Sequence, residues 1–559
     1  MFFLLSTAAV FGIARGQTFE ERVDRYIASF PRHQEFHGVI FAAAGDRVFL
    51  QKGYGLADRE FNIPHLPDDK FQVGSISKAF TAILILKMAE LGGLRLDDTI
   101  RRHLPEYPEE TGNRITIRHL LSHTSGIPHH VTAYPDYWLR HDKVFHSPRE
   151  LLELFSRVPL AHEPGERMTY SSPGFYILGA ILERVGQKSY AELLREYVFD
   201  PLGMKDSAVE NNRTVRGRMA QGYMRGIEGL VRAGYEDKST ALAAGDLVTT
   251  ARDLYLWDKG MRAGKILSPA SVALLYQPIL PDYIFTMGGP LLALKTADGN
   301  KSIRLNRLSG SSTGYVAAMD RIIDADACTI VLSNVQDADV NRIIDDVSDF
   351  FTRLELGLSI GNPAPPTRAT KPAAAVSPAD IELVLGFYGT RGGTISGVVR
   401  GGDKLYLMNY SGGGIEPPVL ELVAEGSDSF NLGWLTNFKC RFSQDGTSGK
   451  SLLSTIARGR TVSTTERIEP ADIDVSEFAG AYVSVELQRT FRFSRSGAGL
   501  VAEKFLGKED VRLAALDKDL FGLDRGFILF TRYPDGAVSG FKLMTYATDT
   551  YLGSKFVKI

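Results

Sequence analysis

The chain has 559 residues, a length that predicts about three domains. Hydrophobic residues make up 44% of it, enough for ordinary globular cores. Its 64 basic and 66 acidic side chains nearly cancel, to a formal charge of −2, which argues against a nucleic-acid groove or a polybasic membrane patch.

Phe2 to Ala14 is an apolar run with no basic residue before it. It is too short to span a bilayer as a helix, which takes about 20 residues. With the small residues near Gly16 it reads as a signal peptide over 1–16, and predicts a secreted or periplasmic protein. No other segment is apolar and long enough to predict a membrane span. A hairpin follows: Gly38-Val39-Ile40-Phe41-Ala42 and Arg47-Val48-Phe49-Leu50-Gln51 alternate around Gly45-Asp46.

From Ser75 to Leu91 the chain is apolar almost all round and stops at Gly92-Gly93, which predicts a buried helix. Ser75 stands at its N-terminal end, where free N–H groups and the helix dipole favour negative charge. Lys78 is one turn on, on the same face, with Cβ atoms about 5–6 Å apart. A serine cap beside a lysine that snorkels to solvent would look the same. The spacing recurs at Ser539 and Lys542, but in a stretch that reads as a strand, where residues three apart face opposite sides. Asp97 and Asp98 predict a cap for the next helix.

Two further stretches carry chemistry-bearing side chains. In Thr116-Ile117-Arg118-His119-Leu120-Leu121-Ser122-His123-Thr124-Ser125-Gly126-Ile127, the two histidines are four apart on an expected helix, but without the glutamate of a zinc-protease motif. His129 and His130 follow Pro128 in a loop placed to rim a cleft. The second stretch is Tyr170-Ser171-Ser172-Pro173-Gly174. Strands return at Tyr315–Met319 and Cys328–Leu332, and a helix over about 339–356 closes the segment. Strands from both ends of residues 17–360 therefore join one antiparallel sheet, flanked by helices and carrying a helical insert, an α/β (α+β) domain. The two cysteines, Cys328 and Cys440, have dissimilar flanks and predict neither a disulfide nor a thiolate metal site.

Residues 361–378 are rich in Pro, Ala and Thr and read as an extended linker. Beyond it lies a weak repeat. Leu385-Gly386-Phe387-Tyr388 is echoed by Ala479-Gly480-Ala481-Tyr482, Ser429-Phe430 by Leu520-Phe521, and the turn Asp445-Gly446 by Asp535-Gly536. It predicts two small antiparallel β-barrels of lipocalin-like build, at 379–468 and 469–559.

The Ser-x-x-Lys before a buried helix, the TIRHLLSHTSG block, the Tyr170 segment and Ala244-Gly245-Asp246-Leu247-Val248-Thr249-Thr250-Ala251-Arg252-Asp253-Leu254 occur together in a telling order. In that order and at those separations the chain resembles the serine β-lactamase and penicillin-binding-protein superfamily, in its class C-like branch, over residues 20–356. The resemblance implies a serine hydrolase working through an acyl-enzyme. Ser75 would be the nucleophile, and Lys78 and Tyr170 would share its proton, with the backbone N–H groups of Ser75 and Ser311 as the oxyanion hole. It implies a small-molecule or peptide substrate and no cofactor or metal, and leaves the oligomeric state open.

Two positions depart from the family's pattern. Its Tyr-x-Asn is here Tyr170-Ser171-Ser172, and its Lys-Thr-Gly or His-x-Gly is Leu308-Ser309-Gly310, counted back from Gly314-Tyr315. These four substrate-facing positions, Ser172, Leu308, Ser309 and Gly310, thus lack the amide and the cation. Arg307 would reach the cleft only through a bulge or a one-residue slip. Losing a cation disfavours substrates that carry a carboxylate. The chain is therefore expected to act on an ester or amide, as a carboxylesterase or a D-aminopeptidase-like peptidase. The alternative is a catalytically impaired protein that binds peptidoglycan fragments or peptides.

Overall fold

The computed structural model describes residues 18–357, apart from 31–35, 131–140, 142, 227–228, 278–284, 296–301 and 337, and residues 384–558 apart from short internal stretches. The apolar N-terminal run, the linker and the Asp535-Gly536 turn lie outside the described residues. Among the described residues no helix is long and apolar enough to cross a membrane.

One seven-stranded antiparallel sheet organises the first part. Its strands are β1 (Gly38–Ala44), β2 (Arg47–Tyr54), β3 (Phe285–Thr286), β4 (Gly289–Lys295), β5 (Ser302–Ser312), β6 (Tyr315–Ile322) and β7 (Ala327–Ser333), in the order β3-β4-β5-β6-β7-β1-β2. The early and late strands of this first part meet where β1 pairs with β7, from Gly38 opposite Ser333 to Ala44 opposite Ala327. Both strands are buried along nearly their whole length, because helices cover both faces. Helices α1 (Phe19–Ala28) and α5 (Val340–Leu354) cover one face. The buried apolar residues of α5 fall at Val340, Ile343, Ile344, Val347 and Phe351, the spacing of a single stripe.

The other face packs on α2 (Ser77–Glu90) and α4 (Ala251–Arg262), with α3 (Ser172–Gly186) behind α2. Almost every residue of α2 is buried, as its unbroken apolar run requires. The expected helix begins differently, however. Gly74–Ile76 is a 3₁₀ turn, and the α-helix proper starts at Ser77. Two other expectations are corrected. The helix after Asp98 has Thr99 at its N-cap position with no capping side-chain bond, while Asp98 accepts from the Arg95 N–H (2.8 Å) and Asp97 pairs with Arg118. The helix Ile117–Leu121 ends before His123, whose φ is +59°, so His119 and His123 share no helix face.

The C-terminal part holds two eight-stranded antiparallel sheets. The first runs from Gly386–Gly389 to Arg460–Glu466, and its ends meet at a bridge between Tyr388 and Arg467. The second runs from Gly480–Ser484 to Lys555–Lys558 and closes as a barrel. The repeat has a physical counterpart. Tyr388 and Tyr482 are both fully buried, and each donates its hydroxyl to the carbonyl four residues earlier, on Val384 (3.0 Å) and Phe478 (2.8 Å). Phe430 and Phe521 are likewise both buried. The closed barrel is filled by rings: Phe530 lies 4.7–5.8 Å from Phe478, Tyr482, Phe493, Phe521 and Phe541. The Ser539 motif sits in its strand Val538–Thr545, at a bulge where the cross-strand register passes from Val538 to Gly540 and skips Ser539.

Candidate active site

Ser75 owes its position to two glycines. A Cβ on Gly74, whose φ is +49°, would sit 2.3 Å from Ser311 O, and one on Gly310 would sit 2.1 Å from Val73 O and 2.5 Å from Ser75 N. Only bare backbone allows strand β5 to approach the Ser75 turn this closely. The backbone N–H groups of Ser75 and Ser311 therefore border the same space. A second clamp lies behind the turn, where Ser77 Oγ donates to Gly74 O (2.7 Å) and accepts from Leu247 N (3.1 Å).

Lys78 follows one turn later and is 7% exposed. Its Nζ donates to Ser75 Oγ at 3.1 Å and to Ala244 O at 2.7 Å, and lies over the rings of Tyr170 and Phe175. The carbonyl belongs to a bend in which Ala243 has a φ of +55°. The bend is tied to α2 by Thr81 Oγ1, which donates to Ala243 O at 2.6 Å.

Tyr170 comes from a separate segment, and its hydroxyl donates to Ser75 Oγ at 2.9 Å. His123 fixes this tyrosine. The N–H of Thr169 donates to His123 O (2.8 Å), the N–H of Ser171 donates to His123 Nδ1 (3.1 Å), and the imidazole stacks on the phenol ring at 4.4 Å and 30°. Since Nδ1 accepts, a neutral His123 carries its proton on Nε2. Burial, reinforced by the nearby Lys78 charge, pushes the His123 pKa down to about 3 and that of His129 to about 4. Both are neutral across the physiological range.

The cleft at this junction holds about 340 Å³. Ser75, Lys78, Tyr170 and His123 line one side, and Met287, Leu308, Ser309, Gly310 and Ser311 another. Lys78 is the only charged side chain among its described lining residues. Leu308 fills the position where the family pattern has a cation. Arg307 points the other way, because β5 and β6 stay in register without a bulge from Leu305–Ile322 to Ser312–Tyr315. Its guanidinium donates to both oxygens of Asp320 and to Asp345, each at 2.6 Å. Ser172 opens α3 and is buried outside the cleft lining, its Oγ 3.4 Å from His129 Nε2. The His129 ring lies 5.7 Å from that of Tyr170, inclined to it by 26°. Three features were not singled out from the sequence: His123 as the clamp on Tyr170, the wall of the cleft from Thr286 to Pro290, and the buried Lys238–Glu236 ion pair, whose Lys238 Nζ donates to Ser312 Oγ. His123 belongs to the TIRHLLSHTSG block, but nothing in that stretch predicts its stacking on the distant Tyr170.

Such an arrangement can activate an alcohol and receive negative charge opposite it. The fold, with serine, lysine and tyrosine meeting between a helical layer and an antiparallel sheet, is that of the serine β-lactamase and penicillin-binding-protein superfamily. The chain belongs to the beta-lactamase family, whose model matches residues 23–351. It is similar to penicillin-binding protein 4* of Bacillus subtilis (strain 168), 27% identical over 399 residues that cover 67% of this chain and 84% of that one. It is also similar to protein flp of Staphylococcus aureus (strain MW2), 32% identical over 190 residues, which span 33% of this chain and 37% of that one. Among solved structures, the octameric penicillin-binding protein homologue from Pyrococcus abyssi shares the fold, with a TM-score of 0.53 and 23% identity over 80% of this chain and 99% of that one.

Proposed function

We propose that the protein is a serine hydrolase that forms an acyl-enzyme on Ser75 and acts on an ester or amide whose acyl and leaving groups carry no carboxylate near Leu308. The observation that carries this reading is the meeting at Ser75 Oγ of two groups, Lys78 Nζ at 3.1 Å and Tyr170 OH at 2.9 Å. For attack, one of the two donors, the Tyr170 phenol or the Lys78 ammonium, first gives up a proton to water; Ser75 Oγ then attacks the carbonyl carbon and passes its own proton to that group. The carbonyl oxygen becomes negative facing the Ser75 and Ser311 N–H groups. When the tetrahedral intermediate collapses, the bond to the leaving oxygen or nitrogen breaks and that atom takes up the proton. Water, deprotonated by the same groups, then attacks the ester on Ser75 and releases the acid.

The preference for an uncharged substrate is supported by the apolar Leu308 and Met287 and by the outward turn of Arg307. The test is hydrolysis of a short-chain p-nitrophenyl ester together with labelling by a fluorophosphonate. The wild type is expected to turn over the ester and gain one adduct on Ser75, and Ser75→Ala to do neither. If wild type and variant are equally inactive towards esters, D-amino amides and β-lactams, and no adduct forms, the reading fails. Ligand binding without an adduct would favour the binding-protein alternative.

A further inference from the structure

We propose that Lys238 is a positioning residue for the oxyanion hole, tying together from behind the two backbone segments that supply its donors; the proposal rests on the acyl-enzyme reading. Lys238 is 3% exposed and does not line the cleft. Its Nζ donates to Glu236 Oε2 at 2.8 Å and to Ser312 Oγ at 2.5 Å. Ser312 Oγ donates in turn to Gln72 Oε1 at 2.8 Å. The Thr313 N–H donates to the same oxygen of Glu236 at 3.3 Å. One ammonium therefore connects the residue next to Ser311 with the strand that leads through Val73 and Gly74 to Ser75.

The strand needs such a tie. On the cleft side β5 has a partner strand only as far as Asn306, opposite Leu291. Beyond it, Ser311 has ladder bonds to β6 alone and on its other side meets only the turn at Gly74 among the described residues, just ahead of the Thr313-Gly314 turn. Strand ends of this kind open more readily than sheet interiors, whereas an oxyanion hole works only while its donors stay aimed at one point. The anchor is held independently of the strand: Lys238 N donates to Asn212 Oδ1 (2.7 Å), and Asn212 Nδ2 donates to Glu236 O (2.8 Å). Glu236 balances the lysine's charge, so the network acts on the cleft through geometry. A buried ion pair adds little to stability against an apolar replacement. Its place here is explained by what it aligns.

The experiment compares wild type, Lys238→Met, Ser312→Ala and the double variant. It reads kcat and KM on a p-nitrophenyl ester, the affinity for phenylboronic acid, and amide hydrogen exchange of the peptide over 309–315. Boron forms its fourth bond to Ser75 Oγ and places an oxygen where the oxyanion would lie. In each single variant kcat and boronate affinity are expected to fall together by about 10²-fold, with KM moving less than about threefold. Exchange over 309–315 should quicken, and the double variant should be no worse than the poorer single one. A folded Lys238→Met with wild-type kcat and boronate affinity overturns the proposal, as does full additivity. If Lys238→Met does not fold, Ser312→Ala decides, since it deletes one hydroxyl. A wild type that neither turns over ester nor binds boronate defeats the acyl-enzyme reading and this proposal with it, an outcome distinct from an active wild type with unaffected variants.

Discussion

Gly310→Ala tests the closest approach in the site. The added Cβ would lie 2.1 Å from Val73 O, 2.5 Å from Ser75 N and 2.9 Å from Gly74 C. Non-bonded carbon contacts settle at about 3.5 Å, so the strand and the Ser75 turn must separate by about 1 Å. All three obstacles are backbone atoms, and no rotamer change relieves them. Overpacking of this kind costs about 1–3 kcal/mol of stability. The larger effect falls on activity, because the Ser75 and Ser311 N–H groups part, and a misplacement of about 1 Å can cost about 10²-fold in rate. The assay is kcat on a p-nitrophenyl ester alongside the melting temperature. Gly245→Ala is the control, since its Cβ would meet Ala241 Cβ at 3.6 Å and Gly74 C at 3.8 Å, ordinary contact distances beside the same turn. Its kcat should stay within about threefold of wild type. A Gly310→Ala enzyme with wild-type kcat would refute the claim that the two segments are held together by bare backbone.

Leu308→Lys should bring a cation into the cleft and lower KM for esters bearing a carboxylate by about 10-fold or more, the worth of a charged hydrogen bond, while neutral esters gain nothing. A competition between succinyl and butyryl esters reads this directly. Arg307→Met leaves the buried Asp320 without its main partner, and should lower stability by about 3–5 kcal/mol without changing the preference between charged and neutral esters. A changed preference would mean that Arg307 reaches the substrate. Asp246 is buried, and burial raises its carboxyl to about 7 against the pull of the Ala243 N–H, Lys238 and Lys78. A folded value above the unfolded one means that its stabilising share is complete below about pH 4 and is lost as pH rises to about 7, at about 1.4 kcal/mol per pH unit. Asp246→Asn removes that loss. The melting temperature of Asp246→Asn should therefore gain on wild type steadily from pH 4 to pH 7, and parallel melting curves would contradict the assignment.

Much of the framework was legible because it is written in period and punctuation. The Gly45-Asp46 hairpin, strands β6 and β7, the closing helix and the buried α2 all follow from alternation or from an unbroken apolar run. So does the direction of Arg307, since a strand in register sends neighbours to opposite faces. The echo of Tyr388 in Tyr482 was legible because both residues make the same local bond, four places back. What escaped the sequence depends on contacts between distant segments. The start of α2 shifted because Ser77 Oγ binds the bend at Leu247, which holds Gly74–Ile76 in a 3₁₀ turn. Ser172 was expected to face the substrate, but Ser171 took the helix cap by bonding Gly174 N, and Ser172 turned to His129. Lys238 lies in a stretch with no period at all, and only the fold shows that it reaches Ser312.

The charges around the cleft decide what kind of substrate it suits. Arg307 is spent on Asp320 and Asp345 behind the sheet, and Lys238 on Glu236 behind the strand. His123 and His129 are held neutral by burial and by the Lys78 charge. Lys78 remains, with bonds already made to Ser75 Oγ and Ala244 O. A substrate carboxylate beside Leu308 would give up its water without gaining a charged partner, a loss of about 1–3 kcal/mol or more. A neutral ester at the same place loses almost nothing and gains contact with Leu308 and Met287. On the proposed reading, then, discrimination comes from the partner that is missing, and the lysine is left free to serve Ser75.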